Sequence, residues 1–212
     1  MPERFSEFQD VVTSVDELRA VIREPMSAIR YKVIDHLDDV CRRFIQASPF
    51  AILASRSSQG WMDVSPRGDP PGFVRVLDEH HLAIPDRPGN RRLDTFQNLL
   101  DNPQIGIIFL IPGRGETLRV SGEARVVRDL ELRESMAMQG KTPAFAIVVY
   151  VKRAFIHCPK CVMRSHLWEP EAANKKRDVP DINEAMIQHA QLTDSPEEWL
   201  AKVKQDGGLE MY

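Results

Sequence analysis

Between residues 50 and 158 the chain returns again and again to short apolar or alternating runs separated by turn signals. "FAILAS" (50–55) gives way to the polar turn "RSSQG", and "WMDVS" (61–65) then alternates apolar and polar residues, so this stretch reads as a hairpin. "FVRVL" (73–77), "HLAI" (81–84), "QIGIIFLI" (104–111), "TLRVSGEARVV" (117–127), "AIVVYV" (146–151) and "AFIHC" (154–158) continue the series. "PGRGE" (112–116) joins two long runs as a hairpin loop. Helical spacing interrupts the strands only at about 90–101 and 129–138. A doubly wound parallel sheet needs regular strand–helix alternation, which is missing here. Strands joined by hairpins predict a mostly β fold with flanking helices, built as an antiparallel barrel that removes exposed edges by closing.

The flanks read as helices. Leu37, Val40, Cys41, Phe44 and Ile45 fall on one helix face, and "TSVDELRAVI" carries a Ser/Asp start signal for a shorter helix around Val15–Ile22. Beyond residue 168 the chain turns polar, with a surface loop "EPEAANKKRDVPD" and two short helices near 182–190 and 196–204. The 212 residues suffice for one domain spanning 1–212, with a helical N-terminal segment (about 1–48) and a helical C-terminal tail (about 169–212). A net charge of −3, from 28 basic and 31 acidic residues, argues against a nucleic-acid coat. The longest apolar run, "IGIIFLI" (105–111), has strand length and cannot cross a bilayer. "MPERFSEFQD" lacks the pattern of a secretion signal, and three cysteines make no even disulfide framework. The expectation is a cytoplasmic protein without nucleic-acid or membrane partners.

Four stretches could carry chemistry. In "DRPGNRRLDTFQNLLDNP" (86–103), Asn90 reads as a helix N-cap followed by Leu93, Phe96, Leu99 and Leu100 at helical spacing. Arg91 and Arg92 then fall in the first turn, where cations oppose the helix dipole by roughly 0.3–1 kcal/mol each. A bound phosphate would reverse that sign, although two solvated surface arginines are the plain alternative. In "DVSPRGDPPGFVRV" (63–76) the prolines predict that the strand leaves the sheet at Ser65, Pro66, Arg67 and Gly68. The exposed backbone there could bond a planar polar ring, or simply form a rigid edge loop.

In "HCPKCVMRSHLW" (157–168), Cys158 and Cys161 lack a second ligand pair, so no metal is expected. A redox pair or two plain thiols remain. Lys160, Arg164 and Trp168 in the same segment suit an anionic or aromatic ligand, or an ordinary surface. In "TLRVSGEARVV", alternation puts Thr117 and Arg119 on the face opposite Leu118 and Val120. Dinucleotide, P-loop, GxSxG and HExxH signatures are absent.

Taken in order over about residues 36–168, these stretches resemble the pyridoxamine 5′-phosphate oxidase-like family of FMN-binding split barrels. The resemblance implies an antiparallel split β-barrel, FMN as cofactor, and a homodimer with the cofactor at the subunit interface. It implies that Asn90, Arg91 and Arg92 hold the FMN phosphate, and that Ser65, Pro66, Arg67 and Gly68 run along the flavin ring. Pro85 and Asp86 would also touch flavin, Thr117 and Arg119 would flank it, and Lys160, Arg164 and Trp168 would approach from the partner subunit. The implied function is an FMN-dependent oxidoreductase transferring hydride to or from an unidentified small-molecule substrate. A flavin- or heme-binding sensor on the same barrel is the alternative. The segment "LELRESMAMQGKTPAFAIVV" lacks the Arg/Ser-rich pattern of the type enzyme, and its closing Arg-x-His motif is not evident. No catalytic acid or base is indicated.

Overall fold

In the computed structural model, which describes residues 3–170, 179–207, 209 and 211, the alternating runs become one seven-stranded sheet. The strands are β1 (Phe50–Arg56), β2 (Met62–Gly68), β3 (Arg75–Val76), β4 (His81–Pro85), β5 (Gln104–Leu110), β6 (Thr117–Val127) and β7 (Ala146–His157). Every neighbouring pair is antiparallel, in the order β2-β1-β5-β6-β7-β4-β3. The fold is an antiparallel split β-barrel whose edges β2 and β3 do not pair with one another, so it does not remove its edges by closing as the hairpin pattern predicts. Flanking it are α3 (Asp39–Ala47), α4 (Asp94–Asp101), α5 (Leu130–Ser135) and α6 (Lys160–Ser165), following α1 (Val15–Val21) and α2 (Ser27–Tyr31). Two tail helices complete the set, α7 (Ile182–His189) and α8 (Pro196–Gln205). No helix among the described residues is long and apolar enough to cross a membrane.

The chain divides into two compact units, Met1–Val33 and Ile34–Tyr212. In the first, Ser14 caps α1 by accepting from the Glu17 N–H, and neither α1 nor α2 buries a residue. In the second, Leu53, Ile84, Ile107, Leu118 and Val149 bring β1, β4, β5, β6 and β7 into one core, joined by Leu37, Cys41, Ile45 and Leu99. Burial pushes the Cys41 thiol up to about 12, so this cysteine acts as an inert packing group.

The structure departs from the sequence expectations at three strands. β2 does not leave the sheet at Ser65 but runs through Pro66 to Gly68. Pro66 faces Ile52 of β1 and has no strand on its other side, so its missing N–H interrupts no second ladder. The runs at 146–151 and 154–158 form one strand, because the polar break between them is a bulge. Ser121 faces Arg153 and Gly122 faces Val151, which leaves Lys152 as the extra residue. Only glycine fits at 122, since a Cβ there would lie 1.9 Å from the Tyr150 carbonyl oxygen. Finally, "FVRVL" shrinks to a two-residue strand while Phe73 and Val74 point into the core.

Asp38 starts α3. Its Oδ1 accepts from the Cys41 backbone N–H at 2.8 Å, and that bond holds the carboxyl below its ordinary value, with partial burial opposing. Asp38→Ala should lower unfolding stability by about 1 kcal/mol in urea at neutral pH. A lowered carboxyl pKa contributes stability above its unfolded value and loses it as pH falls through the folded value. The two proteins should therefore converge in stability under acid.

Candidate functional site

β2 turns alternate side chains to opposite sides. Asp63, Ser65 and Arg67 are half-buried, whereas Met62, Val64, Pro66 and Gly68 are exposed. The half-buried set meets α4. The Thr95 hydroxyl donates to Asp63 Oδ2 at 2.8 Å and accepts from Arg67 Nη2 at 3.4 Å. Arg67 Nη1 also donates to the Ser65 hydroxyl and, at 2.9 Å, to the Pro66 carbonyl. One turn further along α4, Asn98 donates to the Ser55 hydroxyl of β1 at 3.0 Å. A helix face that would otherwise bury polar groups at a loss is thus satisfied by the sheet.

From the other end of the sheet, the segment after β4 crosses towards β2. Arg87 Nε donates to Asp69 Oδ2 at 2.6 Å, with the Asp69 side chain fully buried and Arg87 15% exposed. Arg87 Nη2 caps the Met136 carbonyl at 2.9 Å. Beside it, burial raises the Asp86 carboxyl above its ordinary value, and the Arg67 and Arg87 charges pull it back. Burial likewise lowers Arg67, opposed by Asp86 and Asp63. The guanidinium keeps its charge at physiological pH.

The loop then approaches α4 through two left-handed residues, Arg91 (φ 61) and Leu93 (φ 64). Each costs roughly 1–2 kcal/mol for an L-residue. Asn90 Oδ1 accepts from the Arg92 backbone N–H at 3.1 Å, which tightens the turn. Asn90 is therefore not the N-cap that the spacing predicts. Helical geometry cannot pass through Arg91 and Leu93, so α4 starts at Asp94. Both arginines precede the helix instead of occupying its first turn. Leu93 takes the cap position and makes no side-chain hydrogen bond. The positive end of α4 is consequently left open beside the two guanidiniums.

The result is a cleft of about 770 Å³ between β2 and the β4–α4 segment, within the roughly 300–1,000 Å³ of small-molecule and cofactor sites. Ser65, Pro66, Arg67, Gly68, Pro85, Asp86, Asn90, Arg91 and Arg92 all line it. Arg91 and Arg92 remain exposed, with Arg92 Nε on Asp94 at 2.7 Å and Arg91 Nη1 on Asp206 at 2.9 Å. Thr117, Arg119, Lys160, Arg164 and Trp168 line no part of the cleft. The Arg119 guanidinium lies 5.1 Å from the Phe155 ring centre, and the Trp168 indole N–H donates to the Arg114 carbonyl at 2.7 Å. Lys160 and Arg164 sit on α6. Cys158 and Cys161 are both exposed thiols.

Several residues in or beside the cleft escape a sequence reading. Asp63 was within reach, because it shares the period of Ser65 and Arg67 along β2. Thr95 and the Asp69–Arg87 pair carry no local signal, since each acts across the gap between elements. That pair should matter to the fold. Asp69→Ala removes the carboxylate facing a largely buried guanidinium and should destabilise the protein by about 3 kcal/mol or more in urea unfolding. Asp69→Asn, which keeps an oxygen acceptor, should recover part of that loss.

A family model described as pyridoxamine 5′-phosphate oxidase matches residues 37–158, more than half of the chain. No curated protein matches. Among solved structures, the chain is similar to HupZ of Group A Streptococcus, at 20% identity over 56% of this chain and 92% of that one, with a TM-score of 0.46. It is also similar to a candidate pyridoxamine 5′-phosphate oxidase from Lactobacillus delbrueckii, at 17% identity over 57% and 99%, with a TM-score of 0.43. An FMN-binding protein from Syntrophomonas wolfei matches at 11% identity over 54% and 82%, with a TM-score of 0.42.

Proposed function

The chain belongs to the pyridoxamine 5′-phosphate oxidase family, and on that premise we propose that it is an FMN-dependent oxidoreductase acting on a small molecule. One observation carries the reading. Two arginines and the uncapped positive end of α4 converge on a cleft whose opposite wall is the Ser65–Gly68 edge strand. Such a helix end, with guanidiniums beside it, favours a phosphate monoester. Asn90, Arg91 and Arg92 would hold that phosphate. Ser65 to Gly68, Pro85 and Asp86 would border the ring. Bound FMN supplies the two-electron hydride chemistry, and the protein's part is to seat and tune it.

The chain's own groups suit that part. Ser65 and the Pro66 carbonyl hold the Arg67 guanidinium, so it presents a fixed positive charge at the cleft wall. The Asp86 carboxyl accepts no hydrogen bond among the described residues, and burial favours its protonated form more than in water. It is thus a group able to donate to or accept from a polar ring edge.

A second copy of the chain is part of the proposal. Residues directly opposite in antiparallel strands share a face, and the outward face of β1, β2 and β5 carries Phe50, Ile52, Val64 and Ile108. Phe50, Val64 and Ile108 are exposed there, and Val64 and Pro66 continue the patch to the cleft. Apolar surface of this kind suits a partner subunit. A partner seated on it would supply Lys160, Arg164 and Trp168 to the cofactor, with Thr117 and Arg119 flanking.

Changing Arg91 and Arg92 together to Ala removes two charged donors at roughly 1.5–3 kcal/mol each, so the FMN dissociation constant should rise about 100-fold or more. Quenching of FMN fluorescence on titration measures it, and circular dichroism should show the fold intact. An unchanged dissociation constant would place the phosphate elsewhere.

A further inference from the structure

The contact between Arg91 and the C-terminal tail joins two segments 115 residues apart. Arg91 Nη1 donates to Asp206 Oδ2 at 2.9 Å, and Nη2 donates to the Asp206 main-chain carbonyl at 2.8 Å. Asp206 is the C-cap of α8. Its carbonyl is one of the last-turn acceptors that an α-helix leaves without an internal partner. Its carboxylate sits at the negative end of the helix dipole, where an anion is disfavoured. Arg91 therefore repairs both defects at once. The tail helices α7 and α8 bury no residue, so little apolar packing adds to the hold of this pair.

Arg91 has a second claim on it, since the residue also lines the cleft at the approach to α4. A doubly charged phosphate there would compete with a carboxylate that its own helix disfavours. Both partners are about 70% exposed, so the exchange meets no steric barrier.

We infer that the Asp206 end of α8 is an internal latch that engages the Arg91 guanidinium and is released when a phosphate monoester binds in the cleft and claims it. This rests on the reading of Arg91 as a phosphate ligand. With the latch closed, only a fraction of molecules offers a free Arg91, and apparent affinity falls by that fraction. Linkage makes the effect reciprocal: ligand must loosen the end of α8 by the same factor that α8 weakens the ligand. The tail then reports whether the cleft is filled, and any partner that captures free α8 would favour cofactor binding.

Asp206→Asn keeps the size of the side chain, leaves all cleft residues in place and removes the competing charge. Its apparent dissociation constant for FMN should fall by roughly twofold to fivefold, since one exposed charge contact is lost while the main-chain carbonyl bond to Arg91 remains. In the wild type, FMN should accelerate amide hydrogen exchange at the end of α8, and inorganic phosphate at high concentration should do the same. In Asp206→Asn that end should exchange rapidly with or without ligand. The latch is overturned if Arg91→Ala weakens FMN binding while Asp206→Asn leaves both FMN affinity and α8 exchange as in the wild type. If Arg91→Ala itself leaves FMN affinity unchanged, the phosphate reading falls and takes the latch with it.

Discussion

The two ends of this sheet are never joined by backbone hydrogen bonds, and side chains must span the seam. Asp69, buried just beyond β2, holds Arg87, just beyond β4, at 2.6 Å. Arg67 and Asp63 of β2 meet Thr95 of α4 in a second set of polar contacts. A buried ion pair is not strong in itself, because desolvation consumes most of the attraction. Its value here lies in geometry. It fixes how far β2 stands from the segment that follows β4, and that gap is the cleft. An apolar seam would close on itself, whereas charged groups that need partners keep the walls apart and polar.

The same seam sets the electrostatics of the site. Arg67 and Asp86 are half-buried and shift in opposite directions for one reason, loss of water. Arg91 and Arg92 lie at the outer end and keep their hydration. The cleft thus grades from a desolvated wall to an exposed, cationic mouth where α4 begins. A ligand with a planar polar ring and a phosphate tail matches that gradient from end to end. The two left-handed residues fit the same account, because backbone strain is tolerated where it holds a loop in position for binding.

Much of this was legible in the sequence, and the failures share a cause. Apolar runs marked β1 and β5, period-two alternation marked β2 and β6, the start signal at Ser14 marked α1, and the spacing from Leu37 to Ile45 marked α3. Those signals depend only on neighbours in the chain. The start of α4 was misplaced because Arg and Leu carry no preference for positive φ, so nothing local announced the turn through Arg91 and Leu93. The course of β2 through Pro66 was hidden because edge position depends on strand order, which is settled by distant pairings. The Ser65–Gly68 and Asn90–Arg92 segments each stood out alone. Their meeting across one cleft, and the Asp69–Arg87 and Arg91–Asp206 pairs, required the folded chain.

The central claim is that the cleft holds FMN and that a second copy completes it. Size-exclusion chromatography of the purified protein with added FMN, with light scattering and full visible absorbance on the same peak, tests both parts at once. The account predicts flavin bands travelling with a species of twice the 24.2 kDa chain mass, and heat-released cofactor that runs as FMN. A colourless peak at the mass of one chain would contradict it.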